Sequence, residues 1–296
     1  MNFKEELEKY QDIVNVELDK YLIKKDCLES VLNESVEYSL MSSAKRLRPI
    51  LIIESYRLFR DDYEKCLPFA VAMEMTHTFS LIHDDLPGID NDDYRRGRLT
   101  SHKKFNEATA ILTGDSLMNR AYMIIADEIK NAMDTTDMNI KVRVLNEFSK
   151  SIDKMIIGEY LDTECEGKQI SKDVLDYIHN NKTAAFFKYC VRTGAILAGA
   201  NETDIDNLTV YAEKIGLAFQ IKDDILSEIG DAKVMGKPVG NDKEKNKVTY
   251  VTKFGLDKAE QYLTDITEEA LKILDSYQDK ASFLKELAIY IKERNK

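Results

Sequence analysis

The chain has 296 residues, 32% of them charged and 44% hydrophobic, and carries a net charge of −11. This composition allows a packed core, whereas the acidic balance argues against general nucleic-acid binding, which needs a basic surface. Only 12 glycines and 4 prolines occur, too few for the many turns of an all-β sandwich or barrel. The 4 cysteines are far apart, which argues against a zinc site or a disulfide framework.

Apolar residues recur at helical intervals along almost the whole chain. In the first segment Leu7, Tyr10, Val14, Leu18 and Tyr21 are three or four residues apart, as on one face of an α-helix. The same pattern predicts helices over Met1–Ile23, Cys27–Met41, Pro49–Phe59, Glu64–Leu86, Phe105–Ile129, Ile140–Leu161, Val174–Ile178, Ala184–Ala198, Asp204–Glu228 and Leu256–Tyr277. Without two-residue alternation, repeats or a linker, we predict a single all-α domain over residues 1–296 with about ten or more helices.

The amino-terminal sequence MNFKEELEKY is charged from its fourth residue and is not followed by an apolar segment. We therefore expect no signal peptide. No stretch reaches the ~18 consecutive apolar residues of a membrane-spanning helix. A soluble, cytoplasmic protein is the expectation.

Two charged stretches interrupt the helical pattern. Residues 89–104, IDNDDYRRGRLTSHKK, mix aspartate with arginine, and residues 230–247, GDAKVMGKPVGNDKEKNK, are rich in glycine and lysine. Such stretches are either solvated loops or mobile lids over a binding site.

The sharpest local signal is HDDLPGID, residues 83–90, at the end of a predicted helix. Pro87 and Gly88 break that helix and can turn the chain so that Asp90 returns beside Asp84. Carboxylates brought together repel each other unless a cation lies between them. Mg²⁺ suits such a pair, because it takes one or two carboxylates and shares phosphate oxygens with a substrate. The alternative interpretation is an acidic helix end at the surface.

A second aspartate pair, Asp223 and Asp224, lies late in another apolar segment, FQIKDDIL. Gln220 precedes Asp223 by three residues and shares its helical face. Two such helix ends could hold a metal cluster from both sides.

Basic residues accompany the acidic motifs, in KRLRP at 45–49, RRGR at 95–98, NKT at 181–183 and at Lys237. Arginine suits bidentate recognition of phosphate, and lysine acts as a point charge. Solvation explains each residue alone, but together with the aspartate pairs they indicate two phosphate sites, one bridged by metal and one cationic. No Walker motif and no strand-linked GxGxxG occurs, so a nucleotide-binding fold gains no support.

In this order the motifs resemble those of the trans-prenyl diphosphate synthases, in particular the bacterial farnesyl diphosphate synthase type. The resemblance runs from about Ala44 to Tyr250 through AKRLRP, HTFSLIHDDLPGIDNDDYRRGRLTSHKKF, AILTGDSL, NKTAAFF, GLAFQIKDDIL and MGKPVGNDKEKNKVTY. It implies an all-α isoprenoid synthase bundle around a central cavity. It also implies a homodimer and three Mg²⁺ ions in each active site.

The resemblance assigns roles to individual residues. The implied Mg²⁺ ligands are Asp84, Asp85, Asp90, Asp223 and Asp224. The implied isopentenyl diphosphate site is Lys45, Arg48, His77 and Arg96. The implied allylic diphosphate site is Arg95, Lys182 and Lys237, with Thr183 and Gln220 beside the allylic carbon. Among these, the residues expected to be most important for catalysis are Asp84, Asp90, Arg95, Lys182 and Asp223.

The implied reaction joins isopentenyl diphosphate head to tail to an allylic diphosphate, dimethylallyl or geranyl. Bound Mg²⁺ neutralises the allylic diphosphate, whose C–O bond ionises, and the isopentenyl double bond attacks the carbocation. The proton is lost to the departing diphosphate, so no protein general base is required.

Three positions depart from the family pattern. Ser227 stands where the second motif usually has Asp, and Glu228 lies about 100° further around the helix. Ser227 is uncharged and therefore weakens the second metal site. Ser43 and Ala44 replace the usual Gly-Gly, and Phe79 stands where bacterial farnesyl synthases commonly have Tyr.

Phe79 lies five residues before Asp84 on the same predicted helix, so its ring can point down the tunnel in which the prenyl chain grows, whereas the neighbouring Ser80 is small and blocks little. The resemblance links this arrangement to farnesyl diphosphate as the main product. Geranylgeranyl diphosphate is the alternative product. Two further hypotheses belong to different functional classes. An HD-type metal phosphohydrolase would need more histidine ligands than the 4 histidines readily supply, and a non-catalytic partner subunit would explain Ser227.

Overall fold

The computed structural model describes residues 2–23, 27–229 and 247–295. The α-helices are α1 Phe3–Lys20, α2 Ser30–Leu40, α3 Leu47–Arg57, α4 Leu67–Asp84, α5 Ser101–Lys104, α6 Glu107–Lys130, α7 Thr135–Glu164, α8 Lys172–His179, α9 Ala185–Leu197, α10 Glu202–Ile229, α11 Tyr250–Phe254, α12 Leu256–Ile273 and α13 Ser282–Glu293. Two 3₁₀ segments, Tyr63–Cys66 and Leu274–Ala281, and a π turn, Asn180–Ala184, complete the helical structure. The strands within the described residues are β1 Tyr94–Arg95 and β2 Arg98–Leu99, paired antiparallel.

Polar side chains begin several of these helices. The side-chain oxygens of Asn2, Asn106 and Ser171 accept hydrogen bonds from backbone N–H groups in the first turns of α1, α6 and α8. These are residue types that favour the position before a helix, because they satisfy otherwise unpaired N–H groups. Thr249 and Thr252 form a reciprocal capping box at the start of α11.

The chain divides into two compact units. The first comprises Met1–Ile53 and Asp62–Leu145, and the second comprises Glu54–Asp61 and Asn146–Lys296. The prediction that residues 1–296 form one domain remains a prediction.

In the first unit, α4 packs along α6, and α1 and α2 also contact α4. Helix α4 buries residues on nearly every side, including Phe69, Met73 and Ile82. Close packing on all sides fixes the carboxyl end of α4 at Asp84, where the first acidic motif begins.

In the second unit, α10 packs against α9, α12, α13 and the π turn. The apolar residues Ile205, Leu208 and Ile215 of α10 are buried. The Tyr211 hydroxyl donates to the Leu284 carbonyl oxygen at 2.8 Å, which links α10 to α13. These contacts hold the second acidic motif, near the end of α10.

The all-α prediction is confirmed, and the structure adds local detail. The region 89–104, expected to be irregular, contains the short hairpin and α5. Residues 181–183, which directly precede the predicted helix Ala184–Ala198, lie in the π turn between α8 and α9. Helix α13 was not among the predicted helices. No helix in the described part of the chain is sufficiently long and apolar to cross a membrane.

Candidate active site

The first acidic motif turns back on itself, as its sequence predicted. Helix α4 ends at Asp84, and the amide of Asp90 donates to the backbone oxygen of Asp84 at 2.9 Å. The amide of Asn91 donates to the Leu86 oxygen, and Asn91 has a positive φ of 53°. The turn containing Pro87 and Gly88 therefore returns the chain so that the backbones of Asp84 and Asp90 meet.

The guanidinium of Arg95 lies among the carboxylates of this motif. Its Nε donates to both oxygens of Asp85 at 2.7 and 2.9 Å, and its Nη2 donates to Asp84 at 3.2 Å. Asp92 is a third carboxylate, 3.9 Å away. Arg95 thus supplies the positive charge that closely spaced carboxylates require.

The charges in this cluster shift each other's titration. Burial raises the pKa of Asp85 to about 6, against the opposing effect of Arg95. Burial alone would lower the pKa of Arg95, but Asp85 and Asp84 more than offset it, and the pKa is raised. Asp85 is only 3% exposed, so its main partner in this structure is Arg95. Its role as a metal ligand remains a prediction.

A two-residue hairpin turn positions the next arginine. Tyr94 pairs with Leu99 and Arg95 with Arg98, which leaves Arg96 and Gly97 in the turn. Both have positive φ, 54° and 75°, as type I′ hairpin turns require. The hairpin therefore directs Arg95 to the acidic motif and frees Arg96 to face another group of residues.

Arg96 joins Arg48 and His77 in a cationic cluster. Arg48 Nη1 lies 3.0 Å from His77 Nε2, and because arginine only donates, Nε2 is the acceptor. Burial and Arg48, followed by Arg96, lower the pKa of His77 well below its usual value. Burial, with the arginines around it, lowers the pKa of Arg96 to about 10. Three of the four residues predicted to bind isopentenyl diphosphate are therefore grouped together.

Arg46, which lies between Lys45 and Arg48 in the sequence, has a structural role. It is 3% exposed, has a positive φ of 52°, and forms a buried ion pair with Glu74 at 2.7 Å. It also donates to the backbone oxygens of Leu40 and Ser42. Arg46 thus anchors the segment that carries Lys45, the fourth predicted residue of this subsite.

In the second unit, the two aspartates of α10 have different surroundings. Asp223 is 40% exposed at its side chain and accepts a hydrogen bond from Arg294 at 2.7 Å. Asp224 is buried and accepts from the amide of Tyr250 at 2.9 Å and from Gln220 at 3.2 Å. Asp224 therefore holds the start of α11, and its predicted role as a metal ligand remains a prediction.

The side chains of Thr183 and Gln220 contact each other, while their predicted place beside the allylic carbon remains a prediction. The Thr183 hydroxyl donates to Gln220 Oε1 at 2.9 Å. Thr183 lies in the π turn, which departs from regular helix in a way that is frequent at functional sites.

Two glycines allow helices to approach this π turn closely. A Cβ on Gly158 of α7 would lie 2.2 Å from the backbone nitrogen of Lys182. A Cβ on Gly216 of α10 would lie 2.7 Å from Cα of Ala184. Both distances are shorter than any ordinary contact, so these positions are restricted to glycine.

Lys182 is held by two acidic residues that belong to none of the predicted motifs. Its Nζ lies 2.8 Å from Glu159 and 2.7 Å from Asp162, both on α7. Asp162 also binds Lys247, at 3.3 Å. Burial would raise the pKa of Asp162, but Lys182 and Lys247 outweigh it and lower the pKa. Asp162 and Lys182 are 20 positions apart in the sequence, so no local pattern signalled this contact.

The remaining predicted site residues are Phe79, Ser80 and Lys237. Phe79 is 5% exposed and packs edge-on against the ring of His83, with centroids 5.2 Å apart. His83 also contacts the Ile111 carbonyl oxygen at 3.1 Å, consistent with a packing role. The Ser80 hydroxyl donates to the His77 oxygen. Lys237 lies outside the described residues.

The donor types of both motifs fit magnesium. Asp84, Asp90 and Asp223 offer carboxylate oxygens, the hard ligands that Mg²⁺ prefers, and Mg²⁺ commonly uses one or two of them with substrate phosphates. Across residues 2–23, 27–229 and 247–295, no three His, Cys, Asp or Glu side chains converge as a metal site. By donor type alone, the carboxylates of Asp84, Asp90 and Asp223 suit Mg²⁺.

Comparisons with known proteins identify the family of this chain. Residues 29–287 match the family model described as polyprenyl synthetase. A farnesyl diphosphate synthase of Micrococcus luteus is 39% identical over 99% of both chains. A geranylgeranyl diphosphate synthase of Cyanophora paradoxa is 40% identical over 88% of this chain and 87% of its own.

A solved structure extends the likeness to the fold. It is a geranyltransferase of Helicobacter pylori in complex with magnesium and isoprenyl diphosphate. It superposes with a TM-score of 0.84 and 25% identity over 98% of this chain and 96% of its own. From its motifs, their geometry and these similarities, the chain belongs to the polyprenyl synthetase family.

Proposed function

We propose that the protein is a prenyltransferase that condenses isopentenyl diphosphate with dimethylallyl or geranyl diphosphate and yields farnesyl diphosphate. The observation that carries the proposal is the hairpin with adjacent Arg95 and Arg96. Arg95 donates to the aspartates of the first motif. Arg96 donates to the Ser42 hydroxyl at 3.1 Å and lies within electrostatic range of Arg48 and His77. One strand end thus serves two different anion-binding environments, as a reaction between two diphosphates requires.

The acidic environment suits a diphosphate that arrives with metal. Asp84, Asp90 and Asp223 would hold Mg²⁺, for which we propose three ions per active site. When bound, Mg²⁺ supplies Lewis-acid neutralisation of the leaving diphosphate. Arg95 and Lys182 add permanent positive charges that bind the diphosphate oxygens and orient the allylic substrate. Lys237 would add a further positive charge for the same diphosphate.

The cationic environment suits a diphosphate that binds without metal. Arg48 and Arg96 offer planar donors for the phosphate oxygens, and the neutral ring of His77 fixes Arg48. This arrangement favours isopentenyl diphosphate, whose diphosphate is retained in the product. Lys45 would add a further point charge.

The chemistry needs little from protein acids or bases. The allylic C–O bond breaks, the isopentenyl double bond forms the new C–C bond, and the proton released passes to the departing diphosphate. The oxygens of Thr183 and Gln220 would lie beside the allylic carbon and favour its positive charge. The aromatic ring of Phe79 would limit chain growth at 15 carbons.

The homodimer expected from the family is also proposed. On α6 the side chains of Leu112 and Met123 are 57% and 56% exposed, although both are apolar. They are eleven residues apart, so they lie on one face of the helix. Burial of that face against a second copy would remove both from water. The cytoplasmic location stays a prediction from the sequence.

Turnover by the purified protein tests the proposal. With Mg²⁺, isopentenyl diphosphate and geranyl diphosphate, we expect a C15 product, and we expect Asp84→Ala and Asp223→Ala to lower kcat by orders of magnitude. Circular dichroism checks that both variants are folded. Near-wild-type turnover in either variant would contradict the use of both motifs. No turnover in the wild type would favour the non-catalytic partner subunit.

A longer product and a hydrolytic activity are the two alternatives to this proposal. A geranylgeranyl synthase would use the same residues, and the product analysis distinguishes it. An HD-type phosphohydrolase would need His83 as a metal ligand, but the His83 ring packs on Phe79 and contacts a backbone oxygen.

A further inference from the structure

The last helix ends on the second acidic motif. Helix α13 ends at Glu293, and Arg294 is its C-cap residue, with its amide bonded to the Tyr290 oxygen at 2.9 Å. The apolar residues Leu284, Leu287 and Ile291 of α13 are buried. Because α13 packs on α10, this apolar face determines where Arg294 lies.

The Arg294 side chain is fixed by several contacts with α10. Its Nη2 donates to the backbone oxygen of Phe219 at 2.9 Å and to Oδ1 of Asp223 at 2.7 Å. Its guanidinium carbon lies 3.9 Å from the centroid of the Phe219 ring, within cation–π distance. The side chain is only 4% exposed, so the guanidinium is a permanent part of the packed structure.

The Asp223 side chain is exposed to solvent, whereas the Arg294 side chain that binds it is buried. Its side chain is 40% exposed, and only Oδ1 is engaged by Arg294. A buried cation that binds one oxygen restricts the rotamers of the carboxylate and leaves Oδ2 for a ligand from solvent. Groups that orient a metal ligand in this way commonly affect metal affinity about 10- to 100-fold.

Ser227 makes this orientation more important in this chain. It stands where the second motif usually offers a further carboxylate, so Asp223 is the motif's leading exposed ligand. A ligand that acts with less help from its neighbours depends more on being held in one orientation.

We propose that Arg294 is a positioning residue for the second metal site, which aims Asp223 by holding Oδ1. The proposal rests on the proposed function, because it takes Asp223 as a metal ligand. An opposite effect is physically possible: a nearby positive charge repels a divalent cation, so its removal would strengthen metal binding. The two effects predict opposite results for the same substitution.

The test is a titration of the full chain with Mn²⁺ alone, in which the free ion is followed by electron paramagnetic resonance. We expect Arg294→Gln to weaken Mn²⁺ binding about 10-fold and to raise the Mg²⁺ concentration needed for half-maximal turnover. Arg294→Lys keeps the positive charge but not the planar guanidinium. Its Mn²⁺ affinity should therefore lie between those of the wild type and Arg294→Gln. Lys292→Gln removes a cation from the last turn of the same helix and should leave Mn²⁺ binding unchanged.

A double-mutant cycle separates orientation from general stability. In an Asp223→Ala background, Arg294→Gln should have no further effect on Mn²⁺ binding, whereas a structural effect would persist. Thermal melts identify any variant that does not fold, in which case Arg294→Lys carries the comparison. Unchanged or tighter Mn²⁺ binding by the Arg294 variants would overturn the positioning role. Wild-type Mn²⁺ binding and turnover in Asp223→Ala alone would instead overturn the proposed function.

Discussion

Gly158 on α7 lies directly against the backbone of the π turn that carries Lys182 and Thr183. A Cβ built on Gly158 would be 2.2 Å from the Lys182 nitrogen and 2.6 Å from its Cα. Both neighbours are backbone atoms, so rotation of a side chain cannot relieve the overlap. Gly158→Ala must therefore separate α7 from the π turn or distort the turn.

The size of the displacement follows from the geometry. Ordinary contacts of a Cβ atom begin at about 3.4 Å, and the built distance is 2.2 Å, so the backbones must separate by roughly 1 Å. A misplacement of about 1 Å in a catalytic group can cost about 10²-fold in rate. Since Lys182 and Thr183 move together with the turn, we expect kcat to fall about 100-fold, with a smaller change in KM for isopentenyl diphosphate.

The assay is steady-state turnover of geranyl and isopentenyl diphosphate with saturating Mg²⁺. Lys154→Ala, at an exposed position one turn earlier on α7, is the matched control and should retain wild-type kcat. Circular dichroism and the melting temperature confirm that Gly158→Ala is folded. A folded Gly158→Ala variant with kcat within about threefold of wild type would refute the reasoning, because the π turn would then not need its observed position.

Three further predictions concern separate parts of the site. Phe79→Ala should shift products toward C20 or longer, because it removes the ring that we propose blocks chain growth, and an unchanged product spectrum on chromatography would make Phe79 an ordinary core residue. Ser227→Asp should leave turnover similar or raise it and should lower the Mg²⁺ requirement, whereas a large loss of activity would show a differently organised second site. Asp162→Asn should lower the free energy of unfolding at pH 7 by about 2 kcal/mol, because Asp162 binds two lysines. The pKa of Asp162 is lowered below its ordinary value of 3.8, so the stabilisation is present above that value and is lost as pH falls through the folded pKa. Urea unfolding at several pH values should therefore show the difference from wild type shrinking in acid, and a constant difference would contradict the ion-pair account.

The helices and the acidic motifs were predictable from the sequence because each has a local signal. Leu7, Tyr10, Val14 and Leu18 follow the helical period and are all buried in α1. The Pro87-Gly88 break predicted the return of Asp90 to Asp84, which the 2.9 Å backbone hydrogen bond confirms.

Features made by contacts distant in sequence were not predictable. The two-residue strands of the hairpin are too short to show a period, so the different hydrogen-bond partners of Arg95 and Arg96 emerge only in the structure. The π turn has the composition of a continuous helix, and the requirement for glycine at position 158 depends on the backbone of Lys182. The ion pairs of Lys182 with Asp162 and of Arg294 with Asp223 join residues 20 and 71 positions apart. No pattern in one sequence identifies such partners.

The proposed function requires that the protein joins two diphosphate substrates to give a 15-carbon product. The most direct measurement is chromatography of the dephosphorylated products after the purified protein is incubated with Mg²⁺, geranyl diphosphate and isotopically labelled isopentenyl diphosphate. We expect labelled farnesol as the main product, even when isopentenyl diphosphate is in excess. Mainly geranylgeraniol would contradict the product assignment, and the absence of any labelled prenyl alcohol would contradict the condensation itself.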